Sequence, residues 1–315
     1  KTMIKTAGAA SLLAMAVAGT SAVAAPLAQL GFSQHAGFST PTFFGGSLQF
    51  KAGSTVANPD AGGLAPAGTS LGFAWEGDNA PAQSSIGIQS FDNDSAPTVD
   101  VDGATPLRYT AGFAGTDVDG QWNEGDWWVI DTITQTNEAL ETLGGAINDP
   151  LWTVDTLADL RIFADAGRTT LAYQDPTTTN AISFNETLNQ TTCAGLNPLG
   201  TNCDDVFTAS TGAFAPVSFN YMGYKYDLSF QLLPGISTND GTPVGPSVVV
   251  DNGTTISVFT PENDPGTSSI HIAMSYTATL IPVPEPSVLG LFGAGVLALG
   301  FAGRRRKQVQ AKKAS

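Results

Sequence analysis

The feature that most constrains this chain is an alternation. In SSIHIAMSYTATLI, residues 268–281, Ile270, Ile272, Met274, Tyr276 and Leu280 fall in one phase, and His271, Ser275, Thr277 and Thr279 in the other. A period of two places successive side chains on opposite faces of an extended strand, with one face on a core. VSFNYMGYKYDLSFQLL repeats the pattern, with Phe219 and Tyr221 in one phase and Tyr224, Tyr226, Leu228 and Phe230 in the other. Gly223 at the change of phase predicts a turn or a bulge. DWWVIDTITQT is apolar in both phases near its start, as a strand running through a core is. Further strands are expected over 42–51, 70–76, 84–91, 157–164, 181–184 and 247–250, and only NEALETL invites a short helix. Gly, Pro, Asn and Asp separate these runs, and no period of 20–50 residues marks a solenoid. The expected fold class is therefore all-β, an antiparallel β-sandwich or jelly roll over residues 25–281, with one large core or two small ones.

The two ends have a different character. KTMIKTAGAASLLAMAVAGTSAVAA begins with Lys1 and Lys5, continues uncharged and closes on Ala22-Val23-Ala24, the layout of a secretory signal peptide over residues 1–24. At the other end, residues 287–303 carry no charge and span roughly 25 Å as a helix, at the short end of the transmembrane range. The basic segment 304–315 follows, opening with Arg304, Arg305, Arg306 and Lys307, and under the positive-inside rule it stays cytoplasmic. Ahead of the apolar run, Pro282, Pro284 and Pro286 keep residues 282–286 extended and accessible.

Val283-Pro284-Glu285-Pro286, the Gly- and Leu-rich span and the terminal arginines together resemble the PEP-CTERM sorting signal. The resemblance implies a Gram-negative exporter and processing by an exosortase, a membrane transpeptidase-like enzyme. It also implies an association with extracellular polysaccharide and biofilm matrix. With the signal peptide, it makes the Sec machinery and the exosortase the expected partners. The chain would be held in the inner membrane by its C-terminal helix and then moved to the cell surface or matrix. Stretches between Ser70 and the tail further resemble the THxN family of PEP-CTERM proteins: SLGFAWEGDNAPAQSSIGI, WWVIDTITQTNEAL, FNETLNQTTCAGLNPLGTNCDDVF, FNYMGYKYDLSF and VFTPENDPGTSSIHIAMSY. Thr134 and Asn137 occupy their places in the naming motif, but Gln135 stands where that family has histidine. The family implies a secreted, β-rich matrix protein and supplies no activity.

Charge narrows the partners. The whole chain has a formal charge of −15, but eight of its thirteen Lys and Arg lie in the two ends. The middle sets five cations against twenty-eight acids, a net charge near −23. Such a surface repels nucleic acid and anionic membranes and favours solubility or divalent cations. Cys193 and Cys203 flank a Pro-Gly turn in TTCAGLNPLGTNC, and in an oxidising compartment two such thiols suit a local disulfide.

Four constellations could carry chemistry. GTSLG around Ser70 has the spacing of a nucleophile elbow, but it lacks the strand before and the helix after that the mechanism requires, and His271 is the sole downstream histidine, on the polar face of its strand. Glu124, Glu138, Glu141 and Glu186 could furnish a glycosidase pair only at a separation that sequence does not set. GTDVDGQWNEGD gathers Asp117, Asp119, Asn123 and Asp126, hard oxygen ligands on a glycine-bearing loop of the kind Ca²⁺ takes; FDNDSAPTVDVDG adds more. Trp122, Trp127, Trp128 and Trp152 could stack on sugars, though adjacent Trp127 and Trp128 must point to opposite faces, so one of them faces the core. The expectation is an exported, exosortase-sorted structural or adhesive matrix protein without catalytic activity or a required cofactor. A Ca²⁺-dependent glycan-binding module is the alternative, and a secreted hydrolase comes third.

Overall fold

The computed structural model describes residues 26–27, 29–44, 49–50, 55–58, 66–76, 83–92, 122–137, 151–185, 196–200, 203–239, 242–261 and 266–282. The segments expected as signal peptide and membrane helix lie outside them, as do NEALETL beyond Asn137 and half of the long GSTVANPDAGGLAPAGTS segment.

The strands are β1 (Gly31–Phe38), β2 (Thr42–Phe43), β3 (Gln49–Phe50), β4 (Val56–Ala57), β5 (Ser70–Glu76), β6 (Gln83–Ser90), β7 (Trp128–Asn137), β8 (Trp152–Phe163) and β9 (Leu171–Gln174). They continue with β10 (Thr178–Asn185), β11 (Asp205–Ser210), β12 (Val217–Tyr221), β13 (Tyr224–Pro234), β14 (Ile236–Asn239), β15 (Thr242–Pro246), β16 (Val248–Asp251), β17 (Thr255–Thr260) and β18 (Gly266–Leu280). A single 3₁₀ turn, Thr211–Phe214, interrupts them among the described residues. The all-β antiparallel expectation therefore holds. In place of a sandwich or jelly roll of two separate sheets, hydrogen bonds join every strand into one sheet.

That sheet has two runs. One is β12–β13–β18–β7–β6–β5, the other β1–β8–β10–β11–β17–β16. They join at β1 and β5 through the single register pair Phe38↔Ser70. Twist accumulates from strand to strand, so a sheet this wide curls rather than staying flat. Here it curls into a half-barrel whose two runs face each other across a shared interior. Along β1 the inward residues are Leu30, Phe32, Gln34, Ala36 and Phe38; along β8 they are Trp152, Val154, Thr156, Ala158, Leu160 and Ile162.

Two hydrophobic clusters fill the interior at its two ends. The first packs Leu30 and Phe32 with Leu160 and Ile162 against Trp122, Trp128, Tyr226, Leu228, Met274 and Tyr276 from the opposite run. The second packs Phe38, Trp152 and Phe184 against Phe73, Trp75, Ile86 and Ile270. Trp122, Trp128 and Trp152 are fully buried, as is Trp75, so core packing accounts for three of the four candidate tryptophans; Trp127 points to the outer face and rests near Leu233 and Ala273.

Local rules explain two departures from regular strand. Met222 and Gly223 both have positive φ, at 47° and 84°, in the two-residue link closing the β12–β13 hairpin between Tyr221 and Tyr224. A turn with both central residues left-handed matches the twist of its strands, and this is the phase change expected at Gly223. Gly235, between β13 and β14, packs tightly against β18: a Cβ there would sit 2.1 Å from Ser269 Oγ and 2.9 Å from His271 Nε2. His271 is accordingly not on an open face, as the sequence suggested, but 8 % exposed.

Candidate functional site

The acidic loop is described only in part. Asp126 Oδ2 accepts the Asn123 N–H at 3.1 Å, and the Asp126 N–H donates to Asn123 O at 3.1 Å, so these two residues close a turn. The Trp122 indole N–H donates to Asp126 O, and Glu124 caps the far strand by accepting the Ala278 N–H at 2.8 Å. Asp117 and Asp119 lie outside the described residues, as do Glu138, Glu141 and Glu186. Among the described residues no three His, Cys, Asp or Glu side chains gather as a metal would require.

His271 serves its strand rather than a serine. Its Nδ1 lies 2.8 Å from Thr132 Oγ1, and burial pushes its pKa down to about 4, so the ring is neutral. Ser70 begins β5, directly after a turn at Gly68, with strand rather than helix following it.

The naming motif of the THxN resemblance falls at the end of β7. Thr134 is exposed, whereas Gln135 is buried and joins the two facing runs. Gln135 Oε1 accepts the Thr260 hydroxyl at 2.8 Å, and its Nε2 donates to Asp205 Oδ2 at 3.4 Å. Asn137 Oδ1 accepts from Ser84. These side chains tie strands together inside the sheet.

A second buried polar group lies in the middle of the interior, between the two aromatic clusters. Its origin is a bulge on β7. Ile272 pairs with Asp131 but the next residue, Ala273, pairs with Val129, leaving Ile130 as the extra residue. A bulge resets the phase of a strand and re-aims its side chains. Ile130 and Asp131, adjacent in sequence, consequently both line the interior. The doubly apolar start of DWWVIDTITQT is the sequence trace of this reset.

Asp131 is 2 % exposed. Ser90 Oγ donates to its Oδ1 at 2.6 Å and Gln34 Nε2 to its Oδ2 at 3.0 Å. Ser90 in turn accepts the Ala36 N–H, which fixes the hydroxyl and couples β6 to β1. Desolvation raises the Asp131 pKa to about 7 against the pull of the Ser90 and Gln34 hydrogen bonds. The group can thus hold or release a proton near neutrality, unlike an ordinary surface aspartate.

Beside it opens a cavity of about 260 Å³. Its polar lining includes Gln34, Asp131 and Thr156 together with Asp175, Thr178 and Asn180, while Ile88, Ile133, Ile182 and Phe230 supply aliphatic and aromatic wall. Gln34 Oε1 and Thr156 Oγ1 are buried and have no hydrogen-bond partner among the described residues. The rim includes Thr178 and the 3₁₀ turn at Gly212 and Ala213. A smaller cavity of about 50 Å³ shares Ile133 and Ile182 and reaches Gln135 and Thr260.

None of Gln34, Asp131 or Thr156 stood out in the sequence. The available signal was a single polar residue interrupting an otherwise apolar inward phase, as in Phe32-x-Gln34-x-Ala36 and Val154-x-Thr156-x-Ala158. Near the other end of the described chain, Cys203 is 5 % exposed and is not a free thiol, while Cys193 falls outside the described residues. Residues 283–315, with Val283, Pro284, Glu285, Pro286, Arg304, Arg305 and Arg306, also lie outside them.

The class defined so far is an antiparallel β half-barrel whose last strand, β18, ends two residues before the proline-rich segment. That segment is more than a resemblance: residues 282–307 match the PEP-CTERM protein-sorting motif. A chain bearing it is an exported protein sorted to the cell surface of a Gram-negative bacterium, with an exosortase as the enzyme that recognises it. No curated protein and no solved structure matches the chain.

Proposed function

We propose that the protein is a structural or adhesive component of the extracellular matrix, placed there by Sec export and exosortase processing, with no catalytic step of its own. The observation that carries this reading is the direct junction between body and signal. β18 is hydrogen-bonded on one edge to β13 and β14 and on the other to β7, and the sorting motif begins at residue 282, just beyond Leu280. Tension on the anchored end is thereby delivered into an interior strand of the sheet, which suits a protein that bears load while attached. The high density of acids suits a hydrated polysaccharide surrounding, in which like charge keeps the chain soluble.

The test is made in the native cell. Glu285→Ala, or removal of residues 304–307, should leave an uncut form in the inner membrane fraction and reduce matrix recovered from the culture. Matrix yield unchanged while the uncut form accumulates would refute the matrix role and leave the sorting intact.

We infer further that Cys203 pairs with Cys193, closing the loop ahead of β11. The native protein should show no alkylatable thiol before reduction, and Cys193→Ser should lower unfolding stability by about 2–3 kcal/mol. Two thiols titrating in unreduced protein would rule the bridge out.

A further inference from the structure

The interior cavity carries an inference that sorting does not. Protein interiors are close-packed and their voids rarely exceed a few waters. Here about 260 Å³ stays open midway between two well-filled aromatic clusters, close to the ~300 Å³ at which small-molecule sites begin. Its lining is also sorted by chemistry. Gln34 Oε1 and Thr156 Oγ1 are buried polar atoms without a partner among the described residues, and both side chains line the cavity beside Asp131. A buried acceptor left without a donor costs free energy, and a native fold retains such atoms where a ligand or water completes them. Ile88, Ile133, Ile182 and Phe230 give the rest of the lining an apolar character that water does not satisfy.

We propose that this cavity binds a small neutral amphiphile, a molecule with a hydroxyl head and a compact apolar body. The hydroxyl donates to Gln34 Oε1, while the body lies against Ile133, Ile182 and Phe230. Head-group charge is restricted by the walls. Asp131 and Asp175 line the cavity and no Lys or Arg does, which disfavours an anion. The bulge at Ile130 is the device that makes the site, since without the phase reset Asp131 would point out of the interior and Gln34 would lose its partner. Access runs past the rim at Thr178 and the 3₁₀ turn, whose residues are not buried.

Benzyl alcohol, toluene and benzoate are the probes, applied to the purified full-length protein with calorimetry and thermal melting as readouts. Benzyl alcohol should bind saturably and raise Tm, about 10-fold more tightly than toluene, because only the alcohol can fill the Gln34 acceptor. Benzoate should not bind. Gln34→Met keeps the length of the side chain but removes the acceptor, and should bring benzyl alcohol and toluene to equal affinity. Ala158→Phe, on the β8 wall, should occupy the space and abolish binding of both without lowering Tm; should that variant fail to fold, Ala209→Leu on β11, which also lines the cavity, serves the same purpose. Absence of saturable binding would assign the space to water alone and overturn the proposal. Toluene binding as tightly as the alcohol, benzoate binding at all, or binding that survives a folded wall variant would overturn it equally.

Discussion

The two neighbouring parts of the interior, the Trp152 end and the Asp131 section, are built from the same strands and differ in almost every physical respect. Around Trp152 the rings interlock: Trp152 lies 5.1 Å from Phe184 in a stacked pair and 5.3 Å from Trp75 in an edge contact, and Phe184 lies 4.6 Å from Phe207. A few residues further along β8 the inward positions are Thr156 and Ala158, too small to reach across, and the space stays open. The contrast separates two uses of a strand face. Large rings on facing runs hold the curled sheet closed, and small or polar residues at the same register leave a chamber that the rings support.

The largest expected effect lies at the packed end. Trp152→Ala removes the side chain that touches Phe73, Trp75, Phe184 and Phe207 together. It should cost about 3–5 kcal/mol of unfolding free energy, measured by denaturant titration. A loss below about 1 kcal/mol would mean that this end does not close the half-barrel, and the proposed difference between the two sections would collapse.

The next effect is a pair of opposed titrations. Asp131 rises from 3.8 to about 7 on folding, so between those values the native state holds a proton that the unfolded chain has lost. Its contribution therefore falls as pH rises, by about 1.4 kcal/mol per unit. His271 moves the other way, from 6.5 to about 4, so within that range the unfolded chain is the one that takes up the proton. Its contribution rises with pH at a similar slope. From about pH 4 to 6.5 the two nearly cancel. Asp131→Asn should unmask stability that increases with pH, and His271→Gln stability that decreases, both read from urea unfolding at several pH values. Parallel profiles for both variants and the parent would show that neither group is buried as described.

Sequence carried the architecture further than the chamber. The alternation in β18 and β13, the hairpin at Gly223 and the inward turn of one of Trp127 and Trp128 all follow from side-chain period and turn chemistry, which act over a few residues. Sorting at residues 282–307 was legible because a recognised peptide is read from its sequence directly. The chamber was not legible, for two reasons. β1 escaped the strand pattern because Gln34 sits where an apolar residue is expected and Gly31 and Gly37 interrupt the run. Asp131 was aimed inward by a bulge that exists only in the pairing of β7 with β18, across more than a hundred residues of chain. The closing of a curled sheet is likewise a property of strand order, so a two-sheet sandwich and a half-barrel share the same local signals. His271 shows the same limit: its strand face looked open, but in the fold the backbone at Gly235 packs against its ring.

The smallest expected effect tests the contrast from outside, at a place where neither packing nor burial contributes. Met222 is 64 % exposed and holds φ at 47°, in the left-handed region, beside Gly223 in the β12–β13 turn. For a side chain with an ordinary Cβ that conformation costs about 1–2 kcal/mol, and asparagine tolerates it better through local hydrogen bonding. Met222→Asn should therefore stabilise the protein by about 0.5–1 kcal/mol, since Asn-Gly is the favoured pair for a turn with two left-handed residues. β12 lies at the end of its run, paired only to β13 among the strands described. The gain should accordingly appear as slower exchange of the β12 and β13 amides, with little change in those of β8 around Trp152. A Met222→Asn protein that is less stable than the parent would mean that Met222 contributes contacts which outweigh its backbone strain, and the edge hairpin would then belong with the packed part of the molecule rather than with its exposed margin.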